Sequence, residues 1–267
     1  MPSVTIYGNI QQNLYIKETV MRIAYLDILY DGGDAFEELA AELNRHAPEG
    51  VHVDYRFVTG TDNLEYMAFE NLILHPIALK INQLRKEGYD AVIIGCFHDP
   101  GLDAARELFD DIIIAGPGES SVQLAALLGK RYGIIPVRMK TVEKMKENIW
   151  KTGLLSKLCS IRSLDIRVAD LQKDHSLLSR RMDEKIELAV NKDGAEVIIL
   201  GCTMESGQYK RLQEKFNIPV IDPAIAAMMN AVMQYNCKKY CGWTYSRACT
   251  YEKPPAEEMT LYLGIES

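Results

Sequence analysis

The chain has 267 residues, of which 48% are hydrophobic and 25% charged, and it carries a formal net charge of −7 at pH 7. This ordinary globular composition suits one large domain or two lobes sharing a cleft, and it excludes disordered and fibrous architectures. Scattered Lys and Arg give no footprint for a phosphate backbone, and no apolar run nears the roughly 18 residues that cross a bilayer, which excludes nucleic acid and membrane as partners.

The first 20 residues lack a basic start followed by an apolar core, so they read as an extension ahead of the fold and the protein is expected in the cytoplasm. From there, short apolar runs alternate with longer stretches of helical period. Strands are predicted over 23–27, 51–58, 91–94, 112–115, 132–136, 163–168, 197–200 and 220–221. Helices are predicted over 33–46, 69–87, 100–109, 119–128, 141–152, 179–192 and 207–216, with a last one from about 224 returning to the first half. The alternation is that of a parallel sheet with crossover helices, so the fold class is α/β.

Two stretches of this pattern overlay without a gap. Gly88-Tyr-Asp-Ala-Val-Ile-Ile-Gly-Cys96 matches Gly194-Ala-Glu-Val-Ile-Ile-Leu-Gly-Cys202, and in each a further Gly follows five residues later, at Gly101 and Gly207. Each copy then runs through a helix to a Phe, at 109 and 216, and reaches a Pro 21 residues past its Cys, at Pro117 and Pro223. Two pseudo-symmetric open parallel-sheet lobes are expected, one from 21–117 plus 224–267 carrying Cys96, the other from 118–223 carrying Cys202. Open α/β sheets bind ligands beyond the carboxyl ends of their strands, which puts both thiols at a cleft between the lobes.

Inverting a stereocentre by proton transfer needs a base on one face of the carbon and an acid on the other. Thiols suit both roles, because their ordinary pKa near 8.5 leaves either protonation state within reach. Each cysteine precedes a turn into a helix, where amides and the helix dipole favour an anion. The turn at Gly116-Pro-Gly-Glu-Ser-Ser121 adds a second such feature.

The run Cys96-Phe97-His98-Asp99-Pro100-Gly101-Leu102 resembles the first cysteine motif of hydantoin racemases, usually Cys-Phe-Gly-Asp-Pro-Gly-Leu, and Val197-Ile-Ile-Leu-Gly-Cys202-Thr203-Met204 resembles the second. The likeness spans roughly residues 21–233 and points to the superfamily that also holds aspartate, glutamate and allantoin racemases, maleate isomerase and arylmalonate decarboxylase. It implies a 1,1-proton transfer on a small molecule with an acidic α-hydrogen, without pyridoxal, metal or other cofactor. It also implies Cys96 and Cys202 as acid and base, substrate contacts around Asp27, Phe97, His98, Gly118, Glu119, Ser120, Ser121 and Thr203, and a homo-oligomer. Two departures stand out. Asp27-Ile-Leu-Tyr-Asp-Gly-Gly33 replaces an Asn-Pro-Asn type turn, and His98 replaces a glycine beside Cys96.

Alternatives stay open on the residues alone. An aspartate or glutamate racemase, or a maleate-type cis–trans isomerase with one Cys as nucleophile, would use the same fold. Two thiols argue against a decarboxylase, and a two-lobed cleft is also compatible with ligand binding without chemistry. Buried packing for the cysteines, hydrogen bonding for His98 and N-capping for Ser120 and Ser121 are the plainer readings. Cys159 is expected in a loop. Cys237, Cys241 and Cys249 lie beyond the matched region, with spacing unlike a structural zinc site and a redox pair as the other option.

Overall fold

Runs of Val, Ile and Ala that are buried on both faces make the central strands of two separate parallel sheets. The computed structural model describes residues 20–28, 34–58, 60, 63–171 and 173–266. The first sheet has the order β2-β1-β3-β4, with β1 Met21–Asp27, β2 Val51–Phe57, β3 Ala91–Ile94 and β4 Ile113–Ala115. The second has the order β6-β5-β7-β8, with β5 Tyr132–Ile135, β6 Leu158–Ile161, β7 Val197–Leu200 and β8 Val220–Ile221. The two orders are the same in kind, so the duplicated sequence corresponds to a duplicated sheet.

Crossovers are made by α1 (Asp34–His46), α2 (Met67–Lys86), α3 (Leu102–Leu108), α4 (Pro117–Leu128), α5 (Val142–Lys151), α6 (His175–Asn191) and α7 (Tyr209–Phe216), and α8 (Pro223–Cys241) follows the last strand. On the first sheet, α2 and α3 cover one face through Ile73, Ile77, Ile81 and Leu108. The other face is covered by α1 and α8 through Leu39, Leu43, Ala227, Met228 and Ala231. The second sheet has α6 and α7 on one side and α4 and α5 on the other. Among the described residues no helix is long and apolar enough to cross a membrane.

The predicted strand over 163–168 is displaced. The strand is β6, so Cys159 lies in the sheet and not in a loop, and its thiol donates to the Tyr132 carbonyl at 3.1 Å. Residues 162–166 still follow the end of β5, with amides of Arg162, Leu164 and Ile166 donating to Ile134, Pro136 and Val137. Asp165 takes a left-handed φ of 54° there, which breaks the regular ladder although the apolar alternation continues. The extension expected for residues 1–20 lies outside the described residues except for Val20, as do residues 29–33 of the turn after β1.

Beyond α8 the chain returns over the first sheet. The Tyr245 hydroxyl accepts from the Ile114 amide at 2.7 Å, satisfying the open edge of β4, and Arg247 donates to the carbonyls of Arg106, Glu107 and Phe109 at the end of α3. Cys237, Cys241 and Cys249 carry free thiols. Among the described residues no group of three or more His, Cys, Asp or Glu is arranged to hold a metal ion.

Candidate active site

Cys96 and Cys202 each follow a central strand by two residues, and each is half-buried. The intervening glycines are required by close approach to the neighbouring strand. A Cβ on Gly95 would stand 2.7 Å from the Tyr25 ring and 2.8 Å from the Leu26 carbonyl oxygen, and one on Gly201 would stand 2.6 Å from the Pro136 Cα. Their amides make matching bonds, Gly95 to Leu26 at 2.8 Å and Gly201 to Ile135 at 2.9 Å. The repeated Gly-Cys pair is thus the sequence trace of a strand end pressed against its neighbour.

The two turns meet. Thr203 Oγ1 donates to the Gly95 carbonyl at 3.4 Å, and buried Tyr25 lies beneath, beside Thr203 and near Cys96. Each turn also sends an apolar side chain across. Phe97, 5% exposed, packs with Val122, Ile134, Met145 and Ile199 of the second lobe. Met204 touches the cores of both lobes.

The thiols are surrounded by acidic groups. Burial raises Cys96 well above the ordinary thiol range; the His98 amide, donating to Sγ at 3.5 Å, opposes the shift, while Glu70, Cys202 and Asp99 add to it. Burial pushes Cys202 up to about 12, with Glu205, Glu65 and Asp27 adding. Sequence reasoning expects the turns after the cysteines to favour thiolates; the His98 and Met204 amides do act in that direction, and burial outweighs them. At the separate turn that opens α4 the amides are already taken, because Asp99 accepts from Gly118 at 2.9 Å and from Glu119 at 2.7 Å. Burial thus pushes both sulfurs toward the thiol form, and ionising one disfavours ionising the other.

The other expected residues divide into two sets. Asp27, His98 and Thr203 come close to the thiols. Asp27 is buried and accepts from the Tyr55 hydroxyl at 2.8 Å, and His98 Nδ1 meets Glu70 Oε2 at 3.1 Å. Phe97, Glu119, Ser120 and Ser121 are engaged elsewhere. Glu119 pairs with Arg106 at 2.8 Å, Ser120 accepts from Asn230 of α8, and Ser121 donates to the Pro117 carbonyl. Capping of α4 falls to Asp99 and not to either serine. Gly118 is confined, since a Cβ there would stand 2.3 Å from the Phe97 carbonyl oxygen.

Several residues escaped sequence reasoning. Glu65 and Glu70, on and before α2, are buried and pair with cations of the second lobe: Glu65 with Arg138 at 3.0 Å and Arg167 at 3.6 Å, Glu70 with Lys144 at 3.4 Å. They sit in a stretch whose pattern reads only as an amphipathic helix. Glu205 was within reach, since it stands three residues after its cysteine as Asp99 does. The residue is 1% exposed, and burial raises its carboxyl well above the ordinary range against the pull of the Cys202 and Gly201 amides.

Comparison with known proteins gives a consistent result. Residues 34–231 match the family model described as Asp/Glu/Hydantoin racemase. The hydantoin racemase of Rhizobium meliloti is 32% identical over 216 residues, 80% of this chain and 87% of its own length. That of Pseudomonas sp. (strain NS671) is 29% identical over 205 residues, 77% and 79% of the two chains. Among solved structures, the allantoin racemase from Klebsiella pneumoniae shares the fold with a TM-score of 0.79 at 23% identity, over 88% of this chain and 94% of that one.

Proposed function

Because this chain belongs to the Asp/Glu/hydantoin racemase family, we propose that it inverts a small cyclic ureide of hydantoin type, with Cys96 and Cys202 as alternating base and acid. It is a racemase, hence an isomerase, of the cofactor-independent kind. The observation that carries the two-thiol reading is the meeting of duplicated strand ends, joined through Thr203 and Gly95, each bearing a half-buried cysteine that feels the other's charge.

In this reading one thiolate removes the α-hydrogen from one face, and the opposite thiol delivers a proton to the other face. The pair then has its protonation states exchanged, ready for the reverse enantiomer. Mutual repulsion opposes double ionisation, so once one thiol has given up its proton the other stays protonated, which is the form two-base catalysis needs. A thiol of raised pKa is also a stronger base once ionised, so scarcity of thiolate is offset by its reactivity. The carboxylates of Asp27, Glu65 and Glu70 around the thiols favour a neutral imide or ureide over a dicarboxylate such as aspartate or glutamate, whose charges they would repel. A cytoplasmic location and self-association belong to the same reading, carried by the family likeness.

The test is racemisation of a chiral 5-substituted hydantoin, followed by polarimetry in deuterated water. Wild-type protein is expected to incorporate deuterium at the α-carbon as rotation decays, and Cys96→Ser and Cys202→Ser are each expected to lower kcat by at least about a thousandfold, on the scale of removing a positioned acid or base. Racemisation without isotope uptake would refute the mechanism.

A further inference from the structure

The loop bearing Cys96 is held from both lobes, by groups that neither remove nor deliver the proton in the two-thiol reading. From α2, Glu70 Oε2 meets His98 Nδ1 at 3.1 Å, while Oε1 of the same carboxylate meets Lys144 Nζ of α5 at 3.4 Å. From α5, Asn148 Nδ2 donates to the His98 carbonyl at 2.7 Å. Between these anchors the His98 amide donates to Cys96 Sγ at 3.5 Å.

We propose that Glu70 and Asn148, one from each lobe, are positioning residues for Cys96 that act through His98 to keep its amide aimed at the sulfur. The inference rests on the reading of Cys96 as an acid–base catalyst. With the ring tied at Nδ1 and the carbonyl tied by Asn148, the His98 backbone has little freedom, and its N–H direction follows. The loop needs such support, because the next residue, Asp99, holds a left-handed φ of 50°, a conformation that is strained for a non-glycine residue. The His98 amide stabilises a thiolate on Cys96, whereas burial and the nearby negative charges oppose it. Losing its alignment removes that support from the base.

The two residues act with opposite sign on the thiol. Glu70 holds the ring but also brings a negative charge that disfavours the thiolate; Asn148 only holds. The groups facing Cys96 are Tyr25 from β1, Glu70 from α2 with Lys144 of α5 behind it, His98 and Asp99 from its own loop, and Cys202 from the turn after β7. Glu70→Gln keeps a hydrogen-bonding partner for the ring and deletes the charge, together with its ion pair to Lys144. Asn148→Ala deletes only the anchor.

The experiment is the pH dependence of Cys96 alkylation by iodoacetamide in the full-length, ligand-free protein, quantified by peptide mass spectrometry, beside kcat and KM for a 5-substituted hydantoin. In Glu70→Gln the onset of alkylation moves to lower pH, a shift of one pKa unit being worth about tenfold in rate at fixed pH below the onset. In Asn148→Ala the onset moves to higher pH, and kcat falls about tenfold, the equivalent of roughly 1.4 kcal/mol, with KM within about twofold. A merely structural role would move both variants in one direction. Parallel shifts, or two profiles that superimpose on the wild type, overturn the proposal. If Asn148→Ala does not fold, Asn148→Leu makes the same deletion at similar volume. Cys96→Ala separates the failures: racemisation persisting in it sinks the two-thiol reading, whereas its loss beside unaltered Glu70→Gln and Asn148→Ala sinks only the positioning role.

Discussion

Burial raises both Cys96 and Cys202, with neighbouring carboxylates adding to it, and this governs how each sulfur behaves before a substrate arrives. A thiol whose pKa is raised in the folded chain carries little thiolate until the pH has passed the ordinary thiol range. The free enzyme should therefore show kcat/KM rising continuously from neutral into alkaline solution, with no plateau near the usual value of about 8.5. A pH–rate profile that levels off by about pH 8 would mean that the acidic surroundings do not control the base. In the proposed two-thiol mechanism the coupling also limits the pair to one thiolate at a time, since each thiolate raises the cost of making the second.

Among the elements, the start of the helix after the last strand of each sheet, α4 after β4 and α8 after β8, is secured by one carboxylate, but from opposite sides. In the first lobe Asp99 reaches from the cysteine loop to the α4 amides, and Gly116 has no room for a side chain because a Cβ would stand 2.5 Å from the Asp99 carboxyl. In the second, Asp222 occupies the position equivalent to Gly116, caps α8 through the amides of Ala224 and Ile225, and reaches back to Ser206 and Gly207. That leaves Glu205, the equivalent of Asp99, without a capping duty. Asp99→Ala is expected to cost about 1–2 kcal/mol in urea unfolding, the usual range for losing an N-cap acceptor. Burial pushes the Asp99 carboxyl up to about 7, against the pull of the two amides. The folded chain thus holds a proton that the unfolded chain releases, and the associated stability is present below the ordinary carboxylate range and lost as pH rises through about 7. Asp99→Asn has no such proton, so its deficit relative to wild type should shrink between about pH 4 and pH 7, and a constant deficit would assign the site to the ionised form.

Across the whole molecule, the two lobes are packed together along a seam beside the cysteine loops. Phe97 belongs to the first lobe's cysteine loop yet fills the second lobe's core, Met204 touches both cores, and α8 packs Ala227 and Met228 on the first sheet and Ala226 against the second. Phe97→Ala should cost about 3–5 kcal/mol, as expected for emptying a buried aromatic site, and should also loosen the Cys96 loop. Denaturant unfolding and Cys96 alkylation are expected to respond together in that variant. A stability loss with unaltered alkylation would separate packing from the site.

The α/β class, most strand positions and the two strand-end cysteines were legible because each is written in adjacent residues: period, strand length, and a glycine wherever one backbone crowds another. Residues 163–168 misled for the same reason, since their apolar alternation is local whereas the left-handed Asp165 that ends the ladder is not visible in it. Glu65, Glu70, Lys144 and Asn148, the inward direction of Ser120 and Ser121, and the protonation of both thiols were decided only by tertiary structure. Each depends on burial or on partners far away in the chain, and electrostatic energy is set by distance in space and exclusion of water, neither of which sequence neighbours record.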